Sequence, residues 1–484
     1  MKNHSVCWLL CAGLLAAQPA APPAGPGKGT NALKAQVIKD LETQYADYQQ
    51  LAQRIWGFAE VGYKEVKSSE LLQQKLRASG FEVQAGVAGI PTAFVATFGS
   101  GQPVIGVLAE FDALPGLSQQ AVAEKAPIAG QDAGHGCGHN LFGTASVAAG
   151  IELKKLIQAG KLKGTVKVYG TPAEEGGSGK VYMVRAGLFQ GVDAVVHWHP
   201  GNENRAMMNN YLANSSAKFR FHGVASHAAA SPERGRSALD GVEALNNMVN
   251  MMREHVPQET RIHYVITNGG KAPNVVPEFA EVYYYVRHPN RQNVQDVFAR
   301  VVKAAEGAAL GTGTTMDYEV IGGTHDLLLN ETLARALQRN LEQVGGVRYS
   351  APEAAFGQQI QRSLGFAAPP VAQAGAVEPF AVVDGGGSTD VGDVSYVVPT
   401  VGLVAATWIP GTPAHSWQAV ACSGTEVGAK GMMVAAKTMT LTAIDLFADA
   451  ALLAKAKDEF RKDVGSYVYK PLLGDRQPAL NYRY

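Results

Sequence analysis

Two rhythms of hydrophobicity alternate along this chain, and their order constrains its fold more tightly than any other feature. Residues 31–56 and 68–79 repeat apolar positions every three or four residues, the period of an amphipathic helix. Residues 103–108, 165–169 and 193–198 are short apolar runs of strand length, and helical stretches at 144–159 and 181–189 separate them. Strands alternating with helices require crossover connections, which predicts a parallel or mixed sheet covered by helices. The middle of the chain keeps a different time. Residues 218–222, 261–266, 280–287 and 314–321 read as strands, while 237–252 and 294–309 are helical. That order, β-α-β-β-α-β, predicts a ferredoxin-like α+β layer. We place it at residues 213–326, inserted into an α/β domain formed by 30–212 and 327–484. A chain of 484 residues exceeds the size at which single cores stop growing, which agrees with two domains. The Ala/Pro/Gly stretch at 367–376 reads as a surface loop.

The N-terminus follows its own logic. Lys2 precedes an apolar run from Val6 to Ala17, then Gln18-Pro-Ala20 and a Pro/Gly/Ala stretch to Gly29. This predicts a signal peptide at 1–20, a flexible spacer at 21–29, and a periplasmic or secreted mature protein. Loss of the leader removes Cys7 and Cys11 and leaves Cys137 and Cys422, too few and too far apart for a disulfide scaffold. Lysine plus arginine balances aspartate plus glutamate at 42 each, so no global field favours nucleic acid or an anionic membrane. No later segment reads as a stable membrane span.

Four short segments concentrate groups that bind metals or move protons. In Asp132-Ala-Gly-His-Gly-Cys-Gly-His-Asn140, His135, Cys137 and His139 lie within five residues, separated by glycines. Glycines there cost backbone entropy and contribute no packing, so they make sense where the chain curls around something small. Thiolate with imidazole suits zinc or another divalent transition ion, although His135 reads equally well as an ordinary exposed histidine. The pair Glu174-Glu175 follows an apolar strand; on an extended segment the two would point to opposite sides, one to a metal and one to the attacking water. His197 and His199 share a strand face, so either qualifies as a ligand. His415, in Pro413-Ala-His-Ser-Trp417, is weak evidence alone. Asp112, beyond the strand carrying Glu110, is placed to orient a ligand or base. A cysteine, three histidines and a glutamate exceed the needs of one tetrahedral zinc with an open position, and they suit two bridged cations.

These segments resemble the M20 family of metallopeptidases and amidohydrolases, in particular its aminobenzoyl-glutamate hydrolase branch. The resemblance runs from Ile55 to Val434. It is carried by Ala109-Glu-Phe-Asp-Ala-Leu-Pro-Gly116, Gly134-His-Gly-Cys-Gly-His-Asn140, Gly170-Thr-Pro-Ala-Glu-Glu-Gly-Gly177, Ser226-His-Ala-Ala-Ala-Ser-Pro232, Ala272-Pro-Asn-Val-Val-Pro277 and Ser388-Thr-Asp-Val-Gly-Asp393. It implies two zinc or manganese ions held by Cys137, His139, Glu175, His199 and His415, with His197 the alternate to His199. It implies Glu174 as general base and Asp112 as its orienting partner. It further implies that the inserted layer is a lid and dimerisation domain whose His227, Asn274 and Arg234 contact a small-molecule amide substrate. The expected activity is amide hydrolysis of N-acyl or aryl-acyl amino acid conjugates by a homodimer, with a dipeptidase or carboxypeptidase as the alternative. A non-catalytic exported binding module is the reading from another class.

Overall fold

The computed structural model describes residues 28–383 and 386–483. The expected signal peptide and most of the spacer lie outside them. Eleven strands form two sheets among the described residues: β1 Glu82–Ala85, β2 Phe94–Ser100, β3 Val104–Ala109, β4 Gly164–Gly170, β5 Ala194–Gly201, β6 Arg205–Ala206, β7 Ala213–His222, β8 Arg261–Asn268, β9 Phe279–His288, β10 Thr315–Thr324 and β11 Thr400–Ala406. The larger sheet has the order β1-β2-β4-β3-β5-β11-β6. Its centre, β4-β3-β5-β11, is parallel, and antiparallel strands flank it on both sides.

Every residue of β11 and nearly all of β3 and β5 are buried, as expected of central strands covered on both faces. One face carries the helices Lys28–Thr43, Tyr45–Phe58, His139–Gln158 and Glu426–Ala448 over Ile105, Val107, Val166 and Val168. The other is covered by the shorter helices Gly179–Arg185 and Val391–Ser395 over Leu108, Tyr169, Val195 and Val404. The Glu426–Ala448 helix is long and apolar enough to cross a membrane, yet 78% of its apolar window is buried inside the fold. It is a core helix.

The smaller sheet has the antiparallel order β10-β7-β9-β8. In β9, Ala280, Val282, Tyr284, Val286 and His288 point inward while their neighbours are only partly buried, so the period-2 pattern of the sequence is the pattern of the fold. The inward face packs against the helices Ala238–Met252 and Arg291–Thr312. Chain entry and exit are adjacent, because Asn214 at the start of β7 pairs with Thr324 at the end of β10.

The structure departs from the sequence reading in places. β1, β2, β6 and β11 carry no strong periodic signal: β1 is mostly exposed, and β11 is diluted by Gly402 and two alanines. The stretch at 367–376 is more than a surface loop. Ala374 is fully buried, and its carbonyl accepts from the Val347 N–H and the Asn204 side-chain amide, both at 2.8 Å.

Gly402 has a specific reason to be glycine. It lies opposite His197 across the β5–β11 pair, and a Cβ there would stand 2.5 Å from His197 Nε2. Gly402→Val is therefore expected to destabilise the protein by about 1–3 kcal/mol, the usual cost of overpacking. The check is the thermal unfolding midpoint of the metal-free protein, and an unchanged midpoint would contradict the close approach.

Candidate metal centre

The carboxyl ends of β3, β4, β5 and β11 all open toward one cleft, the usual place for ligands in a parallel sheet. Glu110 and Asp112 follow β3, Glu174 and Glu175 follow β4, His199 lies near the end of β5, and His415 lies beyond β11. The cleft has a volume of about 340 Å³ and is lined by these groups except Asp112, together with Cys137, His197 and an apolar wall.

The glycine-punctuated loop does curl tightly. Gly138 is left-handed at φ 73° and opens the His139–Gln158 helix, which places His139 in its first turn. A Cβ at Gly134 would stand 2.2 Å from the Leu117 backbone carbonyl oxygen, so the loop closes only with glycine there. The Gly136 carbonyl accepts from the His415 N–H at 3.0 Å, and this bond draws the remote Pro413-Ala-His-Ser-Trp417 segment to the cysteine. His415 is itself left-handed at φ 56°, an uncommon conformation for a non-glycine residue and a mark of local strain. Of the loop's histidines, His135 faces away: its Nε2 pairs with the Ile55 carbonyl at 3.1 Å, and burial together with His139 pushes its pKa down to about 3.

Asp112 organises the other half of the site. Its Oδ1 is 3.0 Å from His139 Nδ1, and its Oδ2 accepts from the Glu175 backbone N–H at 2.9 Å. Burial would raise this carboxyl, but His139 and the Glu175 N–H hold it below the usual range. The Glu174-Glu175 pair is not on an extended segment. It sits in a single tight turn, Glu174–Gly177, bounded by left-handed Ala173 at φ 57° and Ser178 at φ 59°. The turn still sends its carboxylates to different places: Glu174 to Glu110 and His139, Glu175 to Cys137 and His415.

Donor atoms converge in three groups, Cys137–His139–His199, Cys137–Glu175–His415 and Glu110–His139–Glu174, each with its atoms within 4.8 Å of one another. Cys137 Sγ is 3.4 Å from His199 Nε2, and His415 Nε2 is 3.1 Å from Glu175 Oε1. His197 belongs to none of these groups and instead lies over Gly402, with burial and the Lys180 charge pushing its pKa down to about 3.

The chemistry of the donors fits cations. Buried His139 Nε2, Glu110 Oε2 and Glu175 Oε1 make no well-aligned hydrogen bond, although the first two face each other at 3.1 Å and the third faces His415 Nε2 at the same distance. Buried polar atoms are rarely left so, and a metal is one of the standard explanations. Burial pushes the Cys137 thiol well up, and the Glu175 charge adds to it. Burial also raises Glu174 well above the carboxylate range, helped by Glu110 and Glu175. Burial opposes a charge on His139, but Cys137, Asp112 and Glu110 outweigh it and raise its pKa. Negative groups thus crowd one another for want of positive charge, which divalent ions would supply; a thiol that coordinates one is deprotonated outright. The clusters are consistent with two divalent ions.

Two parts of this site, Lys180 and Asp390, have no role in the sequence reading. The fully buried Lys180 ammonium bridges Asp390 Oδ1 at 2.6 Å and Glu110 Oε1 at 2.7 Å. The nearest sequence signal is Asp390 within the Ser388–Asp393 string; Lys180 has none. The three residues expected on the inserted layer behave differently from the rest. His227, Asn274 and Arg234 are exposed, and none lines the cleft of its own chain. His227 Nδ1 accepts from the backbone N–H groups of Ala229 and Ala230, and Arg234 is 80% exposed beside Glu233.

Comparison with known proteins identifies the family. Residues 214–312 match the family description of a peptidase dimerisation domain. The chain is 41% identical over 456 residues to a p-aminobenzoyl-glutamate hydrolase subunit of Escherichia coli (strain K12), covering 89% of this chain and 95% of that protein. It is 30% identical over 462 residues to the Xaa-Arg dipeptidase of Mus musculus, covering 91% and 95% respectively. Among solved structures, an aminobenzoyl-glutamate utilization protein from Klebsiella pneumoniae superposes with a TM-score of 0.61 at 19% identity, over 85% of this chain and 98% of that one. A dinuclear metal binding peptidase of the M20 family from Bacillus subtilis gives 0.57 at 18% identity, over 84% and 99%. With its sheet order, its converging thiolate, imidazole and carboxylate groups, and a relative matched over nearly its whole length, the chain belongs to the M20 family of metal-dependent peptidases and amidohydrolases.

Proposed function

We propose that this enzyme hydrolyses the amide bond of N-acyl or aryl-acyl amino acid conjugates, with p-aminobenzoyl-glutamate as the pattern, using two zinc or manganese ions. The observation that carries the reading is Cys137, which belongs to two donor groups at once, with His139 and His199 on one side and Glu175 and His415 on the other. A single cation would not need a shared thiolate between two such sets. The substrate class is supported by the 41% identity to the Escherichia coli p-aminobenzoyl-glutamate hydrolase chain and by the apolar wall of Phe142, Met207, Val391, Val404 and Trp408 facing the donors.

When bound, the ions polarise the scissile carbonyl and acidify the attacking water. The protein's own groups do the rest. Glu174, lining the cleft beside Glu110 and His139, takes the water's proton and passes it to the leaving amine. Asp112 fixes His139 in one tautomer and Glu175 in one backbone position. A second reading, a dipeptidase on the same centre, is supported by the 30% identity to the Xaa-Arg dipeptidase. Glu174→Gln should retain bound metal and lose at least ~100-fold in kcat, the scale of general-base catalysis. Chelation of the native enzyme should abolish turnover, and zinc or manganese should restore it. Full activity in Glu174→Gln would refute the assigned base, and a preference for plain dipeptides over acyl and aryl conjugates would select the second reading.

The enzyme acts as a homodimer through the lid domain. The edge strand β8 exposes Tyr264, Val265 and Ile266, and the neighbouring helix exposes Met248 and Met251. An unpaired apolar edge of this kind invites pairing with another chain. A partner would also give His227, Asn274 and Arg234 a role that they lack at their own cleft: His227 toward the substrate carbonyl, Arg234 toward a carboxylate. Ile266→Asp is expected to shift the mass in solution from dimer to monomer, measured by light scattering; a monomeric native protein would remove this reading.

The leader at 1–20 supports export. The mature protein from fractionated cells should begin near Ala20 by intact mass. A full-length cytoplasmic product would contradict export.

A further inference from the structure

The turn that carries Glu174 and Glu175 closes one bond within itself, Gly177 N–H to the Ala173 carbonyl at 3.1 Å, and draws further support from outside. With Ala173 and Ser178 left-handed, Glu175 at ψ 66° and Gly176 at φ 87°, no regular helical ladder runs through it. Remote side chains hold it instead. Glu65 Oε1 accepts from the Ala173 N–H at 2.8 Å, Asp112 Oδ2 accepts from the Glu175 N–H, and the Tyr63 hydroxyl donates to the Gly177 carbonyl at 2.7 Å. The Glu175 carbonyl accepts twice, from the Tyr482 hydroxyl at 3.0 Å and from an Arg483 guanidinium N–H at 2.7 Å. A carbonyl oxygen has two lone pairs, so these two donors fill its capacity.

Both donors come from the irregular C-terminal segment, residues 465–483, which takes no part in the hydrolytic chemistry proposed for the cleft. That segment is anchored along its length. The Tyr467 hydroxyl is 2.8 Å from His325 Nε2, and its ring lies 3.7 Å under the Arg291 guanidinium, where the lid domain joins the catalytic one. The Tyr469 hydroxyl donates to Asp393 at 2.8 Å. Arg476 donates to the Val320 carbonyl and pairs with Glu319 at 3.1 Å, both in β10. Arg185 donates to the carbonyls of Gly474 and Arg476. The Tyr482 ring then packs edge-on against Tyr63 at 5.5 Å. The segment is thus tied at several points along its course to the backbone of the metal-site turn.

We propose that Tyr482 and Arg483 are positioning residues of the hydrolytic site, holding through the Glu175 carbonyl the turn that presents Glu174 and Glu175, with the C-terminal segment as their anchor. The inference rests on the reading of the cleft as a metal centre. Partners one step removed from metal ligands typically contribute about 10–100-fold to metal affinity or activity.

The test uses the full chain. Tyr482→Phe deletes one hydroxyl and keeps the ring against Tyr63; Arg483→Ala deletes the second donor; the double variant removes both. Zinc affinity is measured by competition with a chelating dye, and kcat and KM on an acyl–amino acid panel at saturating zinc. The double variant is expected to bind zinc about 10–100-fold more weakly and to lose kcat, with KM and the metal-free thermal midpoint held near the native values. Arg483→Lys, which keeps one donor, should recover part of the loss. Native zinc affinity and native kcat in the double variant would overturn the proposal, as would losses that follow a matching fall in the metal-free midpoint. If the native protein binds zinc but cleaves no amide on the panel, the proposed function fails, and the zinc competition still decides the role of Tyr482 and Arg483.

Discussion

The two oxygens of the Asp112 carboxylate are the constraint on which the site depends. One faces His139 Nδ1 and the other receives the Glu175 N–H, so a single buried group fixes an imidazole at a helix start and a turn after the neighbouring strand. In a low-dielectric interior such a group is stabilising only when both oxygens are satisfied; removal of one partner leaves an expensive unpaired charge. The geometry of β3, β4 and the His139–Gln158 helix is therefore tied together at one point. Lys180 repeats the device on the other side, spanning Glu110 and Asp390. Between the two lies the cleft, where buried groups face one another without well-aligned hydrogen bonds.

Strain collects in the same place. Ala173, Ser178 and His415 are non-glycine residues in the left-handed region, each at a cost of about 1–3 kcal/mol. Such conformations persist only where surrounding structure overdetermines them, and here it does: the Gly136 carbonyl holds His415, while Glu65, Asp112 and Tyr63 hold the turn. The reward is a set of donor atoms aimed inward by backbone that cannot relax without losing buried hydrogen bonds.

Much of this is legible in the sequence, for identifiable reasons. β3, β4 and β5 are short, largely apolar runs of strand length, and strands of the inserted layer alternate, so both sheets announce their presence. Cys137 and His139 stand out because glycines without packing value surround them. The choice between His197 and His199 is not legible, since strand alternation puts both on one face. It turns on Gly402, more than 200 residues away in the sequence, which makes the space that His197 fills. Lys180 gives no sign, because a lysine becomes a buried bridge only when Glu110 and Asp390 meet it in space. The Glu174-Glu175 pair is visible in the sequence, but as an extended segment; its true shape depends on partners from three remote stretches, Tyr63–Glu65, Asp112 and Tyr482–Arg483, that no local pattern encodes.

The pairing of Asn214 with Thr324 has an evolutionary corollary. The inserted layer departs from its host and returns through a single two-stranded ribbon, so its removal would leave a gap that a hairpin turn could close. The host sheet, whose strands lie entirely outside that interval, loses none of its ladder in such an exchange. Architecture of this kind lets the module vary as a unit, because every donor of the metal clusters lies on the host side of that ribbon.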